Sequence, residues 1–195
     1  EDWMQKYETL HPEIAFNTYL EAAVAMQEAG EAERAHHFFQ KGMLKLPDSP
    51  QPYVFYADFL LTQDPPWDEA KELYEEAIDI APEAFSGRWG LGWYYEQSED
   101  WEQAVEAYRA CRELRPEWNH FIQQRIGQVH HRAGALEEAE TAWLHALELK
   151  PDYQETTNSL HQLVDLYNRD RQEVEKALEV LTAIRSRRGA DYEQT

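Results

Sequence analysis

Histidines, a single cysteine and many carboxylates are the side chains of this sequence that could do chemistry. The histidines at 36–37 and 130–131 are adjacent pairs, so their members point to different faces of a helix. No HxxxH or HExxH spacing, which would place two imidazoles on one helix face, occurs. Asp and Glu number 38, so pairs of carboxylates do not single out an acid–base site. The sequence predicts no metal, no cofactor and no catalytic residue, and hence a protein that is not an enzyme.

Two further features that resemble chemical motifs are better explained by helix packing. Cys111 falls in a column of small residues, where a cysteine behaves as a small buried hydrophobe rather than as an accessible nucleophile. Gly90 and Gly92 do not open a helix after a strand, as the glycines of a phosphate-binding loop do. We therefore expect both features to serve the packing of helices.

The elements that position these residues are set by a repeat of about 35 residues. Prolines recur at intervals of 35, 35, 34 and 35 residues, at Pro12, Pro47, Pro82, Pro116 and Pro151. Each ends a helical stretch, because proline cannot continue a helix and biases the preceding residue away from helical angles. A fixed period of this length predicts a tandem array of helical units.

Three columns of residues share this period and confirm its register. The first holds Ala35, Ala70, Ala104 and Ala139, the second Phe39, Tyr74, Tyr108 and Trp143, and the third Gly42, Ala77, Cys111 and Ala146. Their spacing of i, i+4 and i+7 places them on one helical face. The small residues allow another helix to approach, and the aromatic ring fills the space beside it. We expect these columns, and Trp67 and Trp101 just before the alanines, to be structural.

Each period contains two amphipathic helices joined by a short polar turn. In the third repeat they are predicted at 85–97 and 100–113, and in the last at 155–168 and 172–188. The predicted organisation is the tail of a preceding helix at 1–12, four repeats at 13–153, a divergent fifth repeat or capping hairpin at 154–188, and a disordered tail at 189–195. Because Glu1 is not an initiator Met, we expect a processed product or part of a longer array whose N-terminal targeting segment is missing. The expected location is cytoplasmic.

These columns resemble the tetratricopeptide repeat family, most closely over residues 89–116 and 126–151. Leu91-Gly92 and Ile126-Gly127 fall where the family has its Leu-Gly pair, whereas the second repeat has Asp58 in place of that glycine. Residues 53–61 also resemble the related half-a-TPR repeats. The resemblance implies an all-α fold, a right-handed α-solenoid of about five helix–turn–helix repeats. It also implies a non-catalytic scaffold for protein–protein interaction.

In arrays of this family the first helix of each repeat, helix A, lines the concave face. The resemblance places the ligand-contacting positions 15 and 11 residues before each repeat's alanine. A partner-binding face is therefore expected to contain Leu20, Val24, Phe55, Phe59, Trp89, Trp93, Gln124 and Gln128, with Asn158 and Gln162 in the last repeat. The polar end of a ligand is expected to meet Gln124, Gln128, His131 and Arg132, with Glu96 between the apolar and polar ends. The first three pairs are apolar and the last two are amides, which predicts a groove that is aromatic at one end and polar at the other.

An apolar groove of this kind predicts a protein or peptide ligand, such as an amphipathic helix or an extended apolar peptide. The alternatives are that a missing N-terminal segment or a second copy fills the groove, or that a closed superhelix has no groove. A carboxylate clamp, the family's best-known ligand mode, is not expected, since no Lys or Arg occupies the matching positions. A further hypothesis is an accessory or regulatory repeat domain of a larger enzyme or assembly whose catalytic part lies outside this chain.

The net charge of −20 bears on the class of partner. Such an acidic surface repels phosphate backbones, so neither nucleic acid nor an anionic membrane is an expected partner. No run of 18 apolar residues occurs, so direct membrane insertion is not predicted either. Much of the acidity lies near the starts of the second helices, where it complements the helix dipole, so a basic ligand is not required to explain it.

Overall fold

The computed structural model describes residues 3–65, 68–150 and 154–170, and positions 173, 175–176, 178–179 and 182. The described residues form helices and no strand. The α-helices are α1 (Trp3–Leu10), α2 (Pro12–Glu28), α3 (Ala32–Met43), α4 (Pro50–Leu60), α5 (Asp68–Ile80), α6 (Phe85–Gln97), α7 (Trp101–Leu114), α8 (Asn119–Arg132), α9 (Leu136–Leu149) and α10 (Gln154–Asp165). A 3-10 turn, Pro116–Trp118, precedes α8, and a π-helical turn, Leu166–Asp170, follows α10.

The chain divides into two compact units, Glu1–Ser98 and Glu99–Thr195. In the first unit, α2 packs on α3 and α4 packs on α5, while α6 contacts both α4 and α5. In the second, α8 packs on α9 and α10 packs on both, with α7 against α8. Consecutive helices therefore pair as hairpins, and each hairpin contacts the helix that follows it.

Helix α1 is held to the first hairpin by one polar contact. The carboxylate of Glu8 accepts hydrogen bonds from Tyr19 Oη on α2, at 2.9 Å, and from Lys45 Nζ just after α3, at 2.6 Å. The Lys45 ammonium, more than any other neighbour, lowers the pKa of Glu8. The assignment of residues 1–12 to a preceding helix stays a prediction, although α1 contacts α2 as such a helix would.

The three predicted columns form the core of the helical hairpins. The four alanines are fully buried, and so are Tyr74, Tyr108 and Trp143, with Phe39 only 6% exposed. The third column, including Cys111, is buried as well. The packing prediction for these residues is confirmed, whereas Trp67 lies outside the described residues.

Close approach of helices to the aromatic column explains two glycines. A Cβ at Gly127 of α8 would stand 2.4 Å from the Trp143 ring on α9, and one at Gly90 of α6 would stand 2.1 Å from the Tyr74 ring on α5. Neither distance is compatible with van der Waals contact, so each ring occupies space that only glycine leaves open. Gly90 is thus a packing residue, as predicted from the sequence.

The turns between paired helices repeat one backbone conformation. Gly30 and Gly134 have φ values of 75° and 76°, and Glu99, at the corresponding place in the third repeat, has φ of 59°. Left-handed angles cost a residue with a Cβ about 1–2 kcal/mol but cost glycine little. The third repeat therefore has the left-handed angle of the first and fourth repeats at a residue that is poorly suited to it.

Predicted and observed helix bounds agree within a few residues. The helix predicted at 85–97 is α6, the one at 100–113 is α7, and the one at 155–168 corresponds to α10 and the π-helical turn. The predicted helix at 172–188 and the tail at 189–195 lie mostly or wholly outside the described residues. The division of the chain into four repeats and a divergent fifth stays a prediction.

Replacing Gly127 with Ala should destabilise the protein by about 2 kcal/mol, because the added methyl overlaps the Trp143 ring. Without that overlap the change would favour the helix by about 1 kcal/mol. Urea unfolding followed by far-ultraviolet circular dichroism measures the difference. In a Trp143→Leu background the cost of Gly127→Ala should fall, and an equal cost in both backgrounds would show that the ring is not the cause.

Replacing Glu99 with Gly should stabilise the protein by about 1 kcal/mol, since glycine adopts the left-handed angle without strain. The matched control is Glu102→Gly in the first turn of α7, where glycine should cost about 1 kcal/mol. Thermal unfolding of the two variants beside the wild type makes the comparison. A loss of stability in both variants would contradict the turn assignment.

Candidate partner-binding face

The apolar positions of α2 are partly available to a ligand. Leu20 is half-buried and packs against the core of the first unit, while Val24 is 41% exposed. The helix therefore offers Val24, one of the two predicted residues, to solvent.

Of the two phenylalanines on α4, one lies on the surface and the other in the core. Phe55 is 42% exposed, with its ring centre 6.3 Å from that of Phe16 on α2. Phe59 is only 3% exposed, and its ring stacks on Phe39 at 4.8 Å. The expectation that Phe59 faces a ligand is wrong, because α4 turns this ring toward the aromatic column of α3.

The tryptophans of α6 are half-buried rather than fully exposed. Trp89 stacks on Phe85 with ring centres 5.3 Å apart, and Trp93 packs against the core of the first unit. Glu96 is 2% exposed, so its predicted place on an accessible face is wrong as well. Glu96 lies about one turn after Trp93, on the side of α6 that packs against neighbouring helices.

The polar candidates lie in the second unit and form a separate set. Gln124 is buried on α8, contrary to the prediction, and its backbone carbonyl accepts a hydrogen bond from Trp143 Nε1 at 3.2 Å. Gln128 is half-buried, and its Oε1 accepts a hydrogen bond from Arg125 Nη1 at 3.3 Å. Because α8 turns Gln124 toward the Trp143 indole, Gln128 is more accessible than Gln124.

The remaining polar candidates are more open. Arg132 is exposed, and its guanidinium carbon lies 5.1 Å from the ring centre of Trp101. His131 is half-buried beside the Trp143 ring, at 5.5 Å between ring centres. On α10, Asn158 is exposed and Gln162 is half-buried. These side chains are accessible on the second unit, but whether they contact a ligand stays a prediction.

The structure explains why the second repeat can have Asp58 where the family pattern has glycine. Asp58 stands 16 residues before Tyr74, as Gly127 stands 16 before Trp143, and its Oδ1 accepts a hydrogen bond from Tyr74 Oη at 2.6 Å. Burial raises the pKa of the Asp58 carboxyl, and the Tyr74 hydrogen bond opposes that rise. The pair replaces the glycine–aromatic contact of this column with a polar one.

A second polar cluster, centred on Tyr56, was not anticipated. Tyr56 is 1% exposed, and its Oη lies 2.7 Å from Nδ1 of His36 and donates a hydrogen bond to Glu69 Oε1 at 3.2 Å. Burial, followed by the charge of Glu69, raises the pKa of the Tyr56 hydroxyl, which therefore keeps its proton at neutral pH. A phenol held in this form links α3, α4 and α5 and offers no base or nucleophile. Periodicity alone carries no signal for such a cluster.

Metal binding and membrane spanning receive no support from the described residues. Within the described part of the chain, no group of three His, Cys, Asp or Glu side chains is placed to hold a metal ion. None of the helices described there is both long and apolar enough to cross a bilayer.

Comparison with known proteins identifies the fold. Residues 87–117 match the tetratricopeptide repeat family. No curated protein sequence matches the chain.

Solved structures of several proteins are similar along most of the chain. BtubC from P. vanneervenii has a TM-score of 0.74 at 15% identity, over 96% of this chain and 86% of that one. MamA from Desulfovibrio magneticus RS-1 has a TM-score of 0.66 at 15% identity, over 90% and 96%. YrrB, described as a tetratricopeptide protein with an unusual peptide-binding site, has a TM-score of 0.56 at 22% identity, over 84% and 81%.

The described residues have an all-α helical-repeat fold of the tetratricopeptide type. Proteins of this type generally act as non-catalytic scaffolds that bind protein or peptide partners. Both the family resemblance and the fold class predicted from the sequence are confirmed.

Asp58→Asn should raise the thermal unfolding midpoint at pH 7 by about 1–3 °C. Since the folded-state pKa is raised, the folded protein binds more protons than the unfolded chain, and stability falls as pH rises through that window. Asparagine keeps an acceptor for Tyr74 without a buried charge, so the advantage should shrink toward pH 4. Asp79→Asn, on the exposed face of α5, is the matched control. A gain for Asp58→Asn that does not depend on pH would contradict this explanation.

Proposed function

We propose that this protein is a non-catalytic scaffold that binds a partner polypeptide on the A-helix face of its first unit. The surface that carries the proposal consists of Val24, Phe55 and Trp89, one apolar side chain on each of α2, α4 and α6; we call it the apolar A-face. Val24 and Phe55 are each more than two-fifths exposed, and Trp89 is half-buried. Phe55 and Trp89 lie 15 residues before their repeats' alanines and Val24 lies 11 before its own, and the family resemblance marks both positions for ligands.

The burial of their neighbours supports a partly preformed site. Leu20, Phe59 and Trp93 pack in or against the core of the first unit. Val24, Phe55 and Trp89 are therefore carried by helices that are held in place. Rigid aromatic side chains make good anchors because little conformational entropy is lost when a partner covers them. YrrB, one of the similar solved structures, is described as a tetratricopeptide protein with an unusual peptide-binding site.

The partner that fits best is an amphipathic helix or an extended peptide with apolar anchors. Covering a Phe side chain fully contributes about 1.5–3 kcal/mol, which is enough for one or two residues to dominate a modest interface. The chain's charge of −20 would favour a partner segment whose polar side carries positive charge, through long-range attraction. Gln128, Arg132, Asn158 and Gln162 of the second unit remain predicted partner contacts.

Photo-crosslinking in the native host tests the proposal. A photoreactive amino acid at position 24 or 55 should capture a discrete partner, whereas the same residue at position 44 should not. Leu44 is the matched control because it is apolar and 78% exposed but lies after α3, away from the A-face. Crosslinks at 24 and 55 to another segment of the same protein, or to a second copy, would contradict a foreign partner.

Phe55→Ala should then weaken binding of the captured partner about 30-fold, the loss of roughly 2 kcal/mol typical of an aromatic anchor. Unfolding should change little, because Phe55 is outside the core. Leu44→Ala should bind as the wild type does, and isothermal titration calorimetry measures all three proteins. Phe55→Ala with unchanged affinity would refute the apolar A-face. The double change Trp89→Ala with Trp93→Ala is less informative, because Trp93 supports the core.

A further inference from the structure

A charged pocket lies in the second unit, among helices α7, α8 and α9. It has a volume of about 430 Å³ and an apolar floor that includes Ile126 and Ala142. This size is within the range of pockets that hold small molecules or a few side chains. Its ionisable lining consists of Arg109, Arg112, His130, Glu137, Glu138 and His145. We call it the α7–α9 pocket.

The two signs of charge enter the pocket from different helices. Both arginines come from α7, whereas both glutamates belong to the first turn of α9. Arg109 is paired with Glu106 of its own helix at 2.7 Å. Arg112, Glu137 and Glu138 form no ion pair within the described part of the chain. Opposite charges therefore line one pocket without meeting, and the space between them is open.

The pocket arginines belong to a stretch that is richer in cations than the residues before it. Residues 109–132 contain five arginines, whereas residues 46–108 contain only Lys71 and Arg88 as cations. Two of the five, Arg125 and Arg132, lie over aromatic rings. Of the other three, Arg109 and Arg112 line the pocket and Arg115 lies outside it. A carboxylate entering the pocket would meet guanidinium groups, whose planar donors match its two oxygens.

The glutamates restrict what else the ligand carries. A dianionic phosphate would be repelled by Glu137 and Glu138, whereas an ammonium or several N–H groups would be attracted by them. Burial lowers the pKa of the His130 imidazole, whose neutral form can both donate and accept a hydrogen bond in the pocket. The arrangement favours a ligand with both charges over one with a single charge.

The pocket and the predicted ligand positions lie on different sides of α8. Gln123, Ile126 and His130 line the pocket, while Gln128 was predicted for the partner-binding face. At 100° per residue, Gln128 points about 160° away from both Ile126 and His130. A ligand in the pocket would therefore not compete with one on the A-helix side.

We propose that the α7–α9 pocket is a second binding site, which takes a zwitterionic group with its carboxylate on Arg112 and Arg109 and its cationic end on Glu137 and Glu138. The group is supplied either by a free amino acid or by adjacent acidic and basic side chains of a polypeptide. The site is independent of the apolar A-face, so neither proposal depends on the other.

Nuclear magnetic resonance titration of the whole chain, followed by backbone amide shifts, tests the site with defined probes. Free glutamine and the capped dipeptide acetyl-Glu-Lys-amide represent the two sources. N-acetylglutamine, which lacks the ammonium, and glutamine amide, which lacks the carboxylate, are the single-charge controls. For the dipeptide, the single-charge controls are acetyl-Gln-Lys-amide and acetyl-Glu-Gln-amide. We expect saturable shifts confined to the pocket helices, and we expect at least one zwitterion to bind about tenfold more tightly than its single-charge controls.

Matched variants test which residues bind the carboxylate of the ligand and which bind its cationic end. Arg112→Gln should weaken zwitterion binding about tenfold, whereas Arg115→Gln, at an exposed arginine outside the pocket, should not. Glu138→Gln should remove the preference for glutamine over N-acetylglutamine, whereas Glu148→Gln, on the exposed face of the same helix, should keep it. Phe55→Ala should leave every one of these affinities unchanged.

The outcomes separate the sources and can overturn the proposal. Binding of glutamine alone assigns a free amino acid, and binding of the dipeptide alone assigns a polypeptide; either supports the site. Inorganic phosphate bound as tightly as the zwitterions would refute it, and so would the absence of saturable shifts up to about 20 mM. Equal losses in Arg112→Gln and Arg115→Gln would also refute it.

Discussion

The seating of one large aromatic ring of each B helix against facing A helices is the contact on which the repeat packing depends. Tyr74 shows how it works in the first unit. Its hydroxyl bonds Asp58 on α4, the A helix of its own hairpin, and its ring lies against Gly90 on α6, the A helix of the next repeat. One side chain thus joins a hairpin to its successor. In the second unit Trp143 fills the space left by Gly127 and bonds the carbonyl of Gln124.

The residue opposite the ring can vary, provided that it leaves room for the ring or bonds to it. Glycine at position 127 leaves room, and Asp58 provides an acceptor instead. The aspartate solution places a carboxyl where burial works against its charge. A related polar solution appears at Tyr56, whose buried hydroxyl joins three helices through His36 and Glu69. Polar contacts of this kind add directional constraints to a core that is otherwise held by size alone.

This packing also decides which side chains remain for partners. Each A helix buries one side against the core. Side chains four positions apart at the border of that side therefore differ in how far they are buried. Phe55 stays on the surface while Phe59 stacks on Phe39, and Val24 is open while Leu20 is half-buried. In the second unit, α8 gives Gln124 to the core while Ile126 and His130 line a pocket between helices. Two binding surfaces of different chemistry can thus be built on one repeat plan: an apolar one in the first unit and a charged one in the second.

The sequence by itself determined the repeat, its register and its core. Proline spacing and the alanine, aromatic and small columns identify the hairpins, because each repeat buries the same helical face and burial imposes the same residue types. It also marked Asp58 as an exception in the glycine column. The tertiary structure alone decided which A-helix residues are exposed, since Phe59, Glu96 and Gln124 have the same helical spacing as exposed candidates but turn toward neighbouring helices. A period fixes which face of a helix is apolar, but how deeply each residue on its border is buried depends on the rotation of that helix against its neighbours. The arginines and glutamates of the α7–α9 pocket come from two helices separated in sequence, so only the fold could bring them together.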